Sequence, residues 1–167
     1  MEFFADMWKS GDRDPEDIKR RLNKYIDYLK SIRDSLPSGV YAFASAAWHY
    51  DDGARGLHDS WLESLNISEH ASGERSQNRA IEIRIRLLGA YHDRRIELIY
   101  EGVRSYSLET PPGFKFPPTH KTGQGDWVID EIRLSDRNLI IHEIEFSRGS
   151  RWIIECENIQ YVSEPNL

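Results

Sequence analysis

Two patterns in the sequence combine residue types that can do chemistry. The first is His58–Asp59, within "GLHDSWLESLNI", where an imidazole beside a carboxylate could serve as an acid–base pair or hold a metal. Sequence neighbours on a strand project to opposite faces and would not reach one atom. The expectation is therefore a turn in which Asp59 accepts backbone hydrogen bonds and His58 is partly buried.

The second pattern lies in the last three apolar runs, at about 127–134, 139–147 and 151–161. A loop "SDRN" would pair Leu134 with Leu139, and a loop "RGS" would pair Ser147 with Arg151. Trp127, Phe146 and Trp152 then share a face with Ile129, Ile144 and Ile154, and Glu131, His142 and Cys156 fall in one row on that face. Such a row could be a cysteine nucleophile with its base and an orienting acid. A core-facing row with no oxyanion donor argues instead for a hydrogen-bonded Glu131–His142 pair and an inert, packed Cys156.

On the opposite face the same registers align Asp130, Glu143 and Glu155, with Glu145 and Glu157 close by. Like charges on adjacent strands repel by up to roughly 1 kcal/mol per pair, so the row invites a basic protein partner. Carboxylates projecting in parallel rarely converge on a cation, so no metal is expected. Asp130, Glu143, Glu145, Glu155 and Glu157 are the expected partner-binding residues. Neither a catalytic residue nor a cofactor is assigned. Walker, dinucleotide-glycine, HExxH and GxSxG patterns do not occur.

The elements that must position these residues are legible in the periodicity. In "DPEDIKRRLNKYIDYLKSIRDSLP" Asp14 can cap, Pro15 suits the first helical turn, and Glu16 and Asp17 complement the helix dipole. Ile18, Leu22, Tyr25, Ile26, Leu29 and Ile32 form one apolar stripe that ends at Pro37. Val40, Phe43, Ala44, Ala47 and Trp48 suggest a second short helix, broken by "DDGARG". From Ser60 the period becomes two. Trp61, Leu65 and Ile67 mark a strand, "EHASGERSQN" a polar loop, and Ile81 to Leu87 a clean alternation. A two-residue turn at His92–Asp93 would set Leu87 against Leu98 and Ile85 against Tyr100. Residues 109–125 hold four of the seven prolines and read as a long loop.

Composition sets the outer bounds. With 167 residues, 39% hydrophobic and 30% charged, the chain can bury one core. The net charge of −6 arises entirely beyond residue 36, and from Asp126 onward nine acidic residues face four basic ones. That balance repels nucleic acid and favours a basic partner. No apolar run is long enough for a membrane span, and the amino-terminal residues lack a signal-peptide pattern, so a cytoplasmic protein is expected. A single cysteine excludes an internal disulfide. The fold expected is one α+β domain over residues 1–167: two N-terminal helices, then a mainly antiparallel sheet of about six strands.

The order "LHDS", hairpin, "WVIDEI", "HEIEFSRG" and "WIIECENI", over about residues 57–160, resembles small bacterial proteins that look like immunity proteins of polymorphic toxin systems. The resemblance implies binding and blocking of a toxin, with no catalytic residues to carry over. The expected function is thus a non-catalytic binding protein using the acidic sheet face. The alternative is a small hydrolase or transferase with a site near His58, Asp59 and the proline-rich loop.

Overall fold

The computed structural model describes residues 1–5, 14–51, 53–110 and 123–166. The first helix, α1, spans Pro15–Ser31, with Asp14 as N-cap accepting from the Glu16 amide at 3.0 Å. Its stripe turns inward, with Tyr25 and Leu29 fully buried. A second helix, α2, covers Ser38–Ala44, and a 3-10 turn at Ala47–Tyr50 follows it.

Eight strands follow: β1 Trp61–Ser72, β2 Asn78–Leu88, β3 Arg94–Glu101, β4 Ser105–Leu108, β5 Trp127–Leu134, β6 Ile140–Phe146, β7 Arg151–Cys156 and β8 Asn158–Pro165. They form two antiparallel four-stranded sheets, ordered β1-β2-β3-β8 and β4-β7-β6-β5. The α+β class stands, but about six strands in one sheet becomes eight in two. The expected strand at 151–161 breaks at Glu157, and β4 extends the β3 run past Gly102, which adopts φ +61°. Bonds from the Glu157 amide to the Glu101 carbonyl (3.0 Å) and from the Arg104 amide to the Glu155 carbonyl (2.8 Å) hold the two bends together.

At the other corner the sheets meet through a bridge between Trp61 and Asp126 and a bond from the Trp127 amide to the Ser60 carbonyl. Between the sheets lie Ile83, Ile85, Leu87, Ile96 and Leu98 from one side and Trp127, Ile144, Trp152 and Ile154 from the other, all buried. Burial of each aliphatic side chain contributes about 1.5–3 kcal/mol, so this layer is the main source of stability.

Three registers depart from expectation. Leu87 pairs with Ile96 rather than Leu98, because the turn runs from Gly89 to Asp93 and is closed by the Gly89 amide on the Arg94 carbonyl. Glu145, not Ser147, pairs with Arg151. Both shifts are by two residues and preserve the faces. The third has a larger consequence: Trp127 pairs with Phe146 as expected, but a bulge before Ile129 moves the rest of β5 by one residue. The polar loop expected at 69–78 is mostly ladder, since β1 and β2 pair out to Ser72 and Asn78. The proline-rich loop lies largely outside the described residues.

α1 lies against the outer edge of β5. The Tyr25 hydroxyl accepts from the Ile132 amide at 2.7 Å and donates to the Ile132 carbonyl at 3.2 Å, while the Tyr28 hydroxyl accepts from the Leu134 amide at 3.0 Å. The edge groups that a strand would otherwise leave open are thus satisfied by tyrosines. α2 rests on β8, where Phe43 stacks on Tyr161 at 5.2 Å between ring centroids. None of the described helices is long and apolar enough to cross a membrane.

Candidate functional site

The bulge in β5 decides which acid faces the core. Beyond it Asp130 pairs with Ile144 and Ile132 with His142, whereas Glu131 pairs with Glu143 on the other face. Asp130 therefore takes the place expected for Glu131. An extra residue inverts the parity of everything after it.

Around Asp130 is a closed polar network. Its Oδ2 meets His49 Nε2 at 2.8 Å and His142 Nε2 at 2.9 Å, and its Oδ1 accepts from the Trp127 indole N–H at 3.0 Å. His49 Nδ1 lies 3.0 Å from the Phe43 carbonyl, which can only accept. His49 thus faces an acceptor at each ring nitrogen. His142 differs, because its Nδ1 sits 2.9 Å from the Tyr100 hydroxyl, which can donate to it. His142 therefore has a donor within reach at one nitrogen and an acceptor at the other.

Burial pushes the Asp130 carboxyl toward protonation. The His49 charge and the bonds from His142 and His49 outweigh it and hold the group far below the usual carboxylate range. Burial raises the Tyr100 phenol well above its ordinary value. The series Tyr100, His142, Asp130, His49 has the form of a proton relay, but the histidine side chains are wholly inaccessible. Beside it is a cleft of about 140 Å³ whose polar lining includes His49, Tyr50, Asp51, His58 and Asp130. Among the described residues no three or more His, Cys, Asp or Glu side chains gather as a metal site.

His58 and Asp59 occupy a turn, as expected, not a strand. Asp59 has φ +60°, its amide donates to the Trp127 carbonyl at 2.9 Å, and His58 Nδ1 bonds the Val128 carbonyl at 2.8 Å. The pair thus pins the bulged segment of β5. Contrary to the opposite-face argument, the turn brings His58 Nε2 to 3.5 Å from Asp59 Oδ1. Cys156 is buried opposite Ile140, not beside His142, and burial is the main cause of its thiol being pushed up to about 12.

The expected acidic face is not a bare carboxylate row. Asp130 belongs to the core face. Glu143 is fully buried among the Met1 amino group, Arg133 and Arg151, and these cations hold its carboxyl below the usual range against the effect of burial. Glu131, equally buried, pairs with Arg133 at 2.8 Å and accepts from the Phe3 amide at 2.9 Å. Glu155 is covered by Arg137 at the turn before β6, Glu145 stands opposite Arg151, and Glu157 is exposed but bonded by Arg104. Glu143, Glu155 and Glu157 are thus compensated within the molecule, and Asp130 is turned away from the row.

Reading the sequence missed His49, Tyr100 and the Met1 amino group. His49 carried one usable signal: it is a titratable side chain within the apolar run "ASAAWHY", as Asp130 is within "WVIDEI". Comparison with protein-family models, with curated proteins and with solved structures finds no match.

Proposed function

We propose that this chain is a non-catalytic binding protein of the immunity type, which engages a basic protein through the edge of β1 rather than through an acidic face. The observation that carries this reading is the exposure of β1. It is twelve residues long, and among the described residues no strand pairs with its outer edge beyond the bridge at Trp61. Its register sets Leu65 and Ile67 on the face of Ile85 and Ile83, yet Ile67 is 41% and Trp61 49% exposed. A long edge whose core-side apolar residues stay partly uncovered is a template for strand addition, in which backbone bonds supply affinity and side-chain pockets supply choice. The net charge of −6 favours a basic partner by steering its approach.

The test is co-expression with a toxin encoded beside this chain, with growth and complex formation both measured. Growth should be restored and a complex should form, more slowly as salt rises. Ile67→Lys should weaken the complex at least tenfold. An unchanged complex with that variant would remove β1 from the reading.

A second reading has its own observation: His58 lines the cleft that reaches His49 and Asp130, where a small hydrolase or transferase would place its base. His58→Ala separates the two. The binding reading expects neutralisation to survive, and the enzyme reading expects it to fail.

A further inference from the structure

The cleft beside the Asp130 network has two kinds of wall. Ile18 and Leu22 of α1 and Val128 and Ile129 of the bulged β5 segment form an apolar wall, and Tyr50, Asp51 and His58 form a polar one. The four apolar residues are only half-buried, so folding leaves part of their surface uncovered. A volume of about 140 Å³ admits one ring or branched chain of about six to eight heavy atoms.

The fixed charges of the cleft are of one sign. Asp51 and Asp130 line it, and among the described residues no Lys or Arg does. Asp130 has its oxygens occupied by His49, His142 and the Trp127 indole. Asp51 is exposed, accepts from the Gly53 amide at 2.8 Å through Oδ1, and meets no cation among the described residues. His58 Nε2 lies 3.5 Å from Asp59 Oδ1, which sets a third carboxylate beside the polar wall. Tyr50 adds an unmatched oxygen: its hydroxyl is buried and makes no hydrogen bond among the described residues. Tyr25, whose ring meets that of Tyr50 edge-on at 5.7 Å, has its one proton on the Ile132 carbonyl. Buried polar atoms in folded proteins are paired, and one left open beside a cleft calls for a partner.

We infer that this cleft binds a small primary ammonium that carries a single apolar ring or branched chain. The apolar body lies on Ile18, Leu22, Val128 and Ile129, where it removes their remaining surface from water. The ammonium has three donors, and its acceptors on the polar wall are the Asp51 carboxylate and, after a small turn of the ring, the Tyr50 oxygen. An anion of the same size is repelled, and a neutral isostere loses the attraction of charge. The inference rests on the cleft of the second reading, but it requires no reaction there.

The full chain tests this by titration with benzylamine, benzyl alcohol and benzoate at neutral pH and low salt, followed through backbone amide NMR shifts. Benzylamine should saturate with a Kd on the order of 1 mM, as suits a ligand of about eight heavy atoms, and should shift Ile18, Leu22, Val128 and Ile129. Benzyl alcohol should bind about fivefold more weakly, and benzoate should not saturate. Asp51→Asn keeps an acceptor for the Gly53 amide but removes the charge; it should weaken benzylamine about fivefold and leave benzyl alcohol unchanged. No saturation by benzylamine, equal affinities for benzylamine and benzyl alcohol, or shifts confined to other parts of the chain would overturn the inference, as would an unaltered benzylamine affinity in Asp51→Asn. If Asp51→Asn does not fold, the three ligands on the unaltered chain decide. Binding is read without turnover, so its failure is distinct from failure of the enzyme reading, which the growth assay with His58→Ala decides.

Discussion

The edges of β5 and β1 stand in contrast. Both are outermost strands of their sheets. The edge of β5 is closed by Tyr25 and Tyr28 from α1, the core face of the strand carries a buried acid with two histidines, and its other face is neutralised by the amino terminus and arginines. β1 has polar or exposed side chains along most of its length. Stability is concentrated where polar groups are removed from water and must be paired. On an open edge the backbone groups can still exchange water for a partner.

The largest expected effect comes from breaking the β5 network. Asp130→Asn removes the buried carboxylate that meets His49, His142 and the Trp127 indole, and should cost about 3–5 kcal/mol in denaturant unfolding. A loss under about 1 kcal/mol would mean that the two sides of the molecule are not so different. Tyr25→Phe should come next, at about 1–3 kcal/mol, because it strands the Ile132 amide and carbonyl at a buried edge. If Tyr25→Phe is silent, α1 is not what seals β5.

The pH dependence sharpens the same contrast. Burial raises the Cys156 thiol to about 12 and pushes the Tyr25, Tyr50 and Tyr100 phenols upward. Unfolded, the thiol ionises from about pH 8.5 and the phenols from about 10. Above those values the unfolded chain binds fewer protons than the folded one, so stability falls as pH rises, by roughly 1.4 kcal/mol per unit for each group fully engaged. On the acid side Asp130 and Glu143 are depressed, so their contribution is present above about pH 4 and declines below it. Denaturation midpoints across pH 3 to 11 should therefore drop at both ends. Thiol reagents should label Cys156 only as the protein unfolds, and rapid labelling of the folded form would refute its burial.

The smallest effect on stability is expected at β1. Ile67→Lys should change unfolding by no more than about 0.5 kcal/mol, as for most surface positions, although it should weaken partner binding. A loss of several kcal/mol would mean that the exposed edge is instead part of the core.

What the sequence by itself determined was local or periodic. Asp14, Pro15 and the stripe from Ile18 to Ile32 specify α1 because cap and periodicity act within one helix. Alternation determined which residues of β2, β3, β6 and β7 face inward, and registers off by two left those faces intact. It also placed His142 and Cys156 on the core side. Tertiary structure alone decided β5. Its bulge is tied to the turn at His58 and Asp59, seventy positions earlier at the Val128 carbonyl, and no spacing within "WVIDEI" announces it. That one residue moved Asp130 inward to His49 and Glu131 outward to the amino terminus. A chain end and a 3-10 turn reach the sheet only through folding, so the buried charges found their partners at distances that periodicity does not encode.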